Sequence, residues 1–73
     1  MIDHHEVFAK RLQEELEDQN MSQAELASQL GRRRSAVNKW IRNGMFPEVQ
    51  TIIKICDVLY VSADYLLGLD DER

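Results

Sequence analysis

Between Arg32 and Arg42 the chain carries Arg32, Arg33, Arg34, Lys39 and Arg42 and no acid. Cations at that density suit a polyanion: arginine offers two parallel donors to a phosphate or a guanine edge, and lysine a point charge. On a helical wheel at about 100° per residue, Arg34, Asn38, Arg42, Ser35 and Lys39 fall within an arc of about 140°. Ala36, Val37, Trp40 and Ile41 occupy the other side. Guanidinium, amide, hydroxyl and ammonium groups therefore share one face, and the side chains able to lock the helix onto a core share the opposite face. A helix so divided fits the major groove of a duplex.

The whole chain argues against this at first sight, since its 73 residues have a formal net charge of -4. The basic stretch alone contributes +5, which leaves -9 for everything else. Charges farther away than a Debye length of about 8 Å are largely screened at physiological salt, so convergence on one face outweighs the total. Other chemistry finds no support. His4 and His5 diverge by about 100° on a helix and lack a third ligand, so no metal is expected and a frayed helix start is. The single cysteine, Cys56, cannot form an internal disulfide and reads as an inert core thiol. The serines have no nearby base and the three glycines form no phosphate-cradling loop. No catalytic residue, cofactor or small-molecule substrate is expected, and the chain is not read as an enzyme. Its apolar runs are too short to cross a bilayer, and Met1-Ile2-Asp3-His4-His5-Glu6 lacks the pattern of a secretory signal, which predicts cytoplasmic residence.

The length supports a single domain over 1–73. Phe8, Leu12 and Leu16 recur at steps of four and predict a helix over about 4–18, opened by an Asp3/Glu6 capping-box spacing and an Ile2/Val7 staple. A second short helix starts at Ser22, whose box partner is Glu25 and whose staple is Met21 with Leu26; it buries Leu26, Ala27 and Leu30 and ends at Gly31. The basic helix follows over about 33–43, so residues 22–43 read as a helix-turn-helix. Pro47 precedes a fourth helix, Val49 to about Tyr60, with Ile52, Ile53, Ile55, Cys56 and Leu59 as a wide apolar face. Its isoleucines would also suit a strand, but the spacing is helical. A last helix starts at Ser62 with a Val61/Leu66 staple and stops at Gly68, leaving 69–73 as a flexible tail.

From Phe8 to Gly68 the chain resembles the phage-repressor-like helix-turn-helix regulators, the Cro and lambda-repressor type also called XRE-type. The resemblance rests on Met21-Ser22-Gln23-Ala24-Glu25-Leu26-Ala27, Leu30-Gly31, Ser35-Ala36-Val37-Asn38-Lys39-Trp40, Asn43-Gly44, Pro47 and Val61-Ser62-Ala63-Asp64-Tyr65-Leu66-Leu67-Gly68, in that order and spacing. It implies an all-α, compact five-helix lambda-repressor-like DNA-binding domain. By position, Arg33, Arg34, Ser35, Asn38 and Lys39 are implied to reach bases, and Gln23, Arg32, Arg42 and Asn43 to hold phosphates. Three departures carry expectations of their own. Arg32 replaces a usual apolar residue and predicts a looser turn. Arg33 replaces a small capping residue and predicts that the third helix starts late or is completed only when phosphate is bound. Tyr60 replaces a glycine or asparagine and predicts that the fourth helix ends without a positive-φ residue.

The function expected is sequence-specific binding of a double-stranded DNA operator by a transcription regulator, a repressor rather than an activator. It would act as a homodimer on half-sites about 34 Å apart, since one short helix reads too few base pairs. The fourth and fifth helices, around Tyr60, Tyr65, Leu66 and Leu69, are candidates for the dimer surface, with core packing as the alternative for these residues. The alternative is a helical protein-interaction module, an antitoxin or adaptor whose basic helix meets an acidic partner. The bland reading of Arg32-Arg33-Arg34 is a solvated cluster neutralised by Glu14, Glu15, Glu17 and Asp18 of the first helix.

Overall fold

Phe8, Leu12 and Leu16 are buried on one face of α1 (His4–Asp18), as their spacing predicts. In the computed structural model, which describes residues 2–72, α1 is followed by α2 (Gln23–Leu30), α3 (Arg34–Arg42), α4 (Val49–Leu59) and α5 (Ala63–Leu66). Met1 and Arg73, the outer ends of the leader and tail readings, lie outside the described residues. No strand occurs among the described residues, so the isoleucines of α4 are helical. Leu26 of α2, Val37 of α3, Ile55 and Leu59 of α4 and Leu66 of α5 close with Phe8 and Leu12 into one fully buried core. α1 and α2 both pack on α3, α2 also packs on α4, and α5 bridges α1 and α4.

The helix starts follow the sequence closely. Ser22 Oγ accepts the Glu25 N–H at 3.0 Å and Glu25 Oε1 accepts the Ser22 N–H at 3.2 Å, a complete capping box. Asp3 Oδ1 accepts the His5 and Glu6 amides, but Glu6 makes no return bond, so α1 has only half of the expected box. Ser62 caps α5 through the Tyr65 amide.

The helix ends share one device. Asn20 (φ 55°), Gly31 (φ 68°), Tyr60 (φ 57°) and Gly68 (φ 78°) take the left-handed conformation after α1, α2, α4 and α5. The next residue then returns an amide to the carbonyl of the last turn: Met21 to Leu16 at 2.8 Å, Arg32 to Ala27 at 2.8 Å, Val61 to Cys56 at 3.2 Å and Leu69 to Asp64 at 2.8 Å. Tyr60 corrects an expectation, because α4 does end on a positive-φ residue, and that residue is the tyrosine itself. Buried Leu59 and Val61 on either side require the reversal. A left-handed tyrosine costs about 1–2 kcal/mol.

Burial corrects further expectations. Tyr65 and Leu66 belong to the core and cannot form a dimer surface as the molecule stands, whereas Tyr60 and Leu69 are exposed. Ile53 also faces solvent, so the apolar face of α4 is divided rather than wholly buried. The histidine pair is anchored instead of frayed: His4 Nδ1 donates to Leu67 O at 2.6 Å and His5 Nε2 donates to Trp40 O at 2.8 Å, with the His5 ring edge-on to Phe46. The segment read as a tail is held by Arg11, which donates to Asp70 O at 2.6 Å and to Asp71 Oδ1 at 3.0 Å as well as to Tyr65 O of α5, its guanidinium stacked over the Tyr65 ring.

Candidate nucleic-acid interface

α3 separates its residues by face, as the wheel predicts. Val37 and Trp40 are buried and Ala36 and Ile41 are partly buried against the core. Arg34, Ser35, Lys39 and Arg42 are exposed, with Asn38 half-buried among them. Arg34, Ser35, Asn38, Lys39 and Asn43 line one shallow depression of about 430 Å³. Ser35 and Lys39 also border a second, of about 510 Å³, which Arg33, Met45 and Phe46 extend toward the loop before α4. Asn43 closes α3 without a left-handed conformation, and the chain turns at Gly44 (φ 72°).

The start of α3 is left without the usual local supports. The helix begins at Arg34, directly after the cap position Arg33, so the start is not late, although the Arg33 side chain forms no capping bond. The Ala36 amide closes a tight turn onto Arg33 O at 3.0 Å, while the Arg34 and Ser35 amides find no acceptor among the described residues. No acid stands in the first turn. Helix N-termini carry partial positive charge, so Arg33 and Arg34 add to it where a carboxylate would normally offset it, and a phosphate is attracted.

Gln23 opens α2. Its Oε1 is buried without a hydrogen-bond partner among the described residues. Arg32 is drawn elsewhere. Its Nη2 lies 3.2 Å from Thr51 Oγ1 and 3.8 Å from Glu48 Oε1, so this residue fastens the helix-turn-helix to the start of α4. The turn is thereby braced by a side chain rather than loosened. Thr51 and Glu48 were not singled out in the sequence, where nothing local marks a contact across 19 residues.

The acids of the first helix do not neutralise the run; Arg32 pairs with Glu48 instead. Arg11 pairs with Asp71 and Arg32 with Glu48, and among the described residues no ion pair joins Arg33, Arg34, Lys39 or Arg42 to a carboxylate. Glu15 is itself buried on α1. On α4, burial pushes the Cys56 thiol above its ordinary range, the Asp57 carboxylate adds to this, and a backbone hydrogen bond opposes it. Such a thiol is a poor nucleophile at neutral pH. Among the described residues no helix is long and apolar enough to cross a membrane, and no group of three or more metal-ligating side chains occurs.

Residues 12–66, about three quarters of the chain, match the family model described as helix-turn-helix. That family is DNA-binding and regulatory, and generally not enzymatic. No curated protein matches the chain. With the match spanning α2, α3 and α4 and five helices around one core, the chain belongs to the XRE-type, lambda-repressor-like helix-turn-helix family of DNA-binding domains.

Proposed function

We propose that this protein is a sequence-specific binder of double-stranded DNA that regulates transcription by occupying an operator, as a repressor and a homodimer in the cytoplasm, with residues 1–73 acting as one DNA-binding domain. One observation carries the reading: the cationic face of α3 is unpaired while its other face is locked into the core. A charge cluster serving only solubility needs no rigid backing.

Arg33, Arg34, Ser35, Asn38 and Lys39 enter the major groove, where arginine matches guanine and asparagine matches adenine. Gln23, Arg42 and Asn43 hold phosphates and set the register. Arg32 keeps the turn against α4 and acts on DNA through that bracing. The acidic remainder of the chain weakens indiscriminate attraction to duplexes.

Selection of bound sequences from a random duplex pool tests the proposal. A two-fold motif is expected to be enriched, and its affinity is expected to fall linearly in log–log form as salt rises. If no motif is enriched while an acidic protein captures the same arginines, the interaction-module reading replaces it.

A further inference from the structure

We propose that His5 is a positioning residue for α3: from α1 it holds the C-terminal end of α3 and the loop that follows, and so sets the tilt at which Lys39 and Arg42 meet DNA. The inference deepens the DNA-binding reading above and rests on it. The Asn43 amide donates to Lys39 O at 3.0 Å, but among the described residues no backbone amide reaches the next carbonyl, that of Trp40. Helices leave their last carbonyls open in this way, and a side-chain donor can take one up. His5 Nε2 donates to Trp40 O at 2.8 Å, and the His5 ring stands edge-on to Phe46 with 5.3 Å between centroids. Phe46 in turn lies 5.5 Å from the buried ring of Phe8 on α1. One half-buried side chain of α1 therefore grips α3 and the loop after it together.

The two ends of α3 are thus held by different elements. Ahead of its N-terminal end, Arg32 ties the turn to Thr51 and Glu48 at the start of α4. At its C-terminal end the chain leaves through the left-handed Gly44, and His5 with Phe46 makes the connection to α1. Over the five residues from buried Val37 to Arg42, a tilt of about 10° carries the Arg42 end about 1 Å sideways. Recognition groups must be held to within about 0.5 Å, so this end needs its own brace. Arg34 lies on the shorter arm, next to the Arg32 contacts, and moves less. The surroundings of His5 agree with such a role. It shares with Arg42 and Gly44 a cleft of about 670 Å³ between α1 and the end of α3, and Phe46 shares with Ser35 and Lys39 the depression on the other side.

Two substitutions separate the donor from the ring. His5→Phe keeps a ring against Phe46 and removes the donor, whereas His5→Gln keeps a donor of similar reach and removes the ring. The first measurement is amide hydrogen exchange of the free protein by NMR, with far-UV circular dichroism verifying the fold of each variant. His5→Phe is expected to speed exchange at Ile41, Arg42 and Asn43 by more than about fivefold and to leave α2 unchanged, and His5→Gln to restore most of the protection. The second is titration with the selected operator. His5→Phe is expected to weaken binding about fivefold, to weaken it no further once Lys39→Ala and Arg42→Ala are both present, and to combine additively with Arg34→Ala. Unchanged exchange at the end of α3, faster exchange spread evenly over the chain, additivity with Lys39→Ala/Arg42→Ala, or His5→Gln no better than His5→Phe would each overturn the proposal. A wild type that selects no duplex would defeat the DNA reading, and the exchange result would still decide whether His5 fixes the end of α3.

Discussion

α2 and α3 sit side by side in the helix-turn-helix and are stabilised in opposite ways. α2 is specified by its own residues: Ser22 and Glu25 close its start and Gly31 closes its end. α3 has no side-chain cap and no acid in its first turn, and it gathers positive charge where a helix least favours it. It holds because Val37 and Trp40 are buried beneath α1 and α2. The difference teaches how a helix can stay locally incomplete and still be ordered: packing from behind supplies the order, and the front keeps its donors.

The comparison breaks most severely if the packing is removed. Trp40→Ala deletes the largest anchor of α3 and is expected to cost about 3–5 kcal/mol, comparable with the whole stability of about 4–11 kcal/mol for a domain of this length. Thermal denaturation checks this, and a loss below about 1 kcal/mol would mean that α3 carries its own stability after all. Arg34→Ala stands at the other side of the same helix. It removes no intrachain partner, so the melting temperature should stay unchanged while affinity for the selected operator drops by about 1–3 kcal/mol and the preference at one base pair relaxes. Equal losses on every duplex would reassign Arg34 to phosphate.

Ser22→Ala probes the locally specified helix. Without the capping oxygen, the Glu25 amide is left unpaired, and a cost of about 0.5–2 kcal/mol is expected in denaturant unfolding. The half-made box of α1 predicts that Glu6→Ala costs less than Glu25→Ala, since Glu6 makes no return bond to its cap.

The same contrast explains what was legible in the sequence. Capping residues, glycine stops and the four-residue apolar steps act within one or two turns, so the five helices and the polar arc of α3 could be placed from residue type and spacing. Tyr60 could not be recognised as a left-handed stop, because what goes with the reversal is the burial of Leu59 and Val61 beside it, which the local sequence does not mark. The bonds of His4 and His5 to the carbonyls of Leu67 and Trp40 join parts of the chain 63 and 35 residues apart. Arg32 looked like one more member of a basic run, and only the fold brings it to Thr51 and Glu48. The candidate site was therefore readable as a face of a helix, and its bracing was not.

The smallest expected effect is also the most discriminating. Arg33 occupies the cap position of α3 in an extended conformation, φ -84° and ψ 151°, which a serine adopts without strain. Arg33→Ser supplies a hydroxyl able to accept an amide of the first turn and removes a cation from the positive end of the helix. Both changes favour the free protein, by about 0.5–1 kcal/mol together. The same substitution removes a donor from the groove-facing end and should weaken operator binding. Stability and affinity are thus expected to move in opposite directions, as measured by denaturant unfolding and by titration with the selected duplex. If Arg33→Ser lowered both, the arginine would be holding the start of α3 in place, and the incomplete cap would be a structural device instead of a vacancy kept for phosphate.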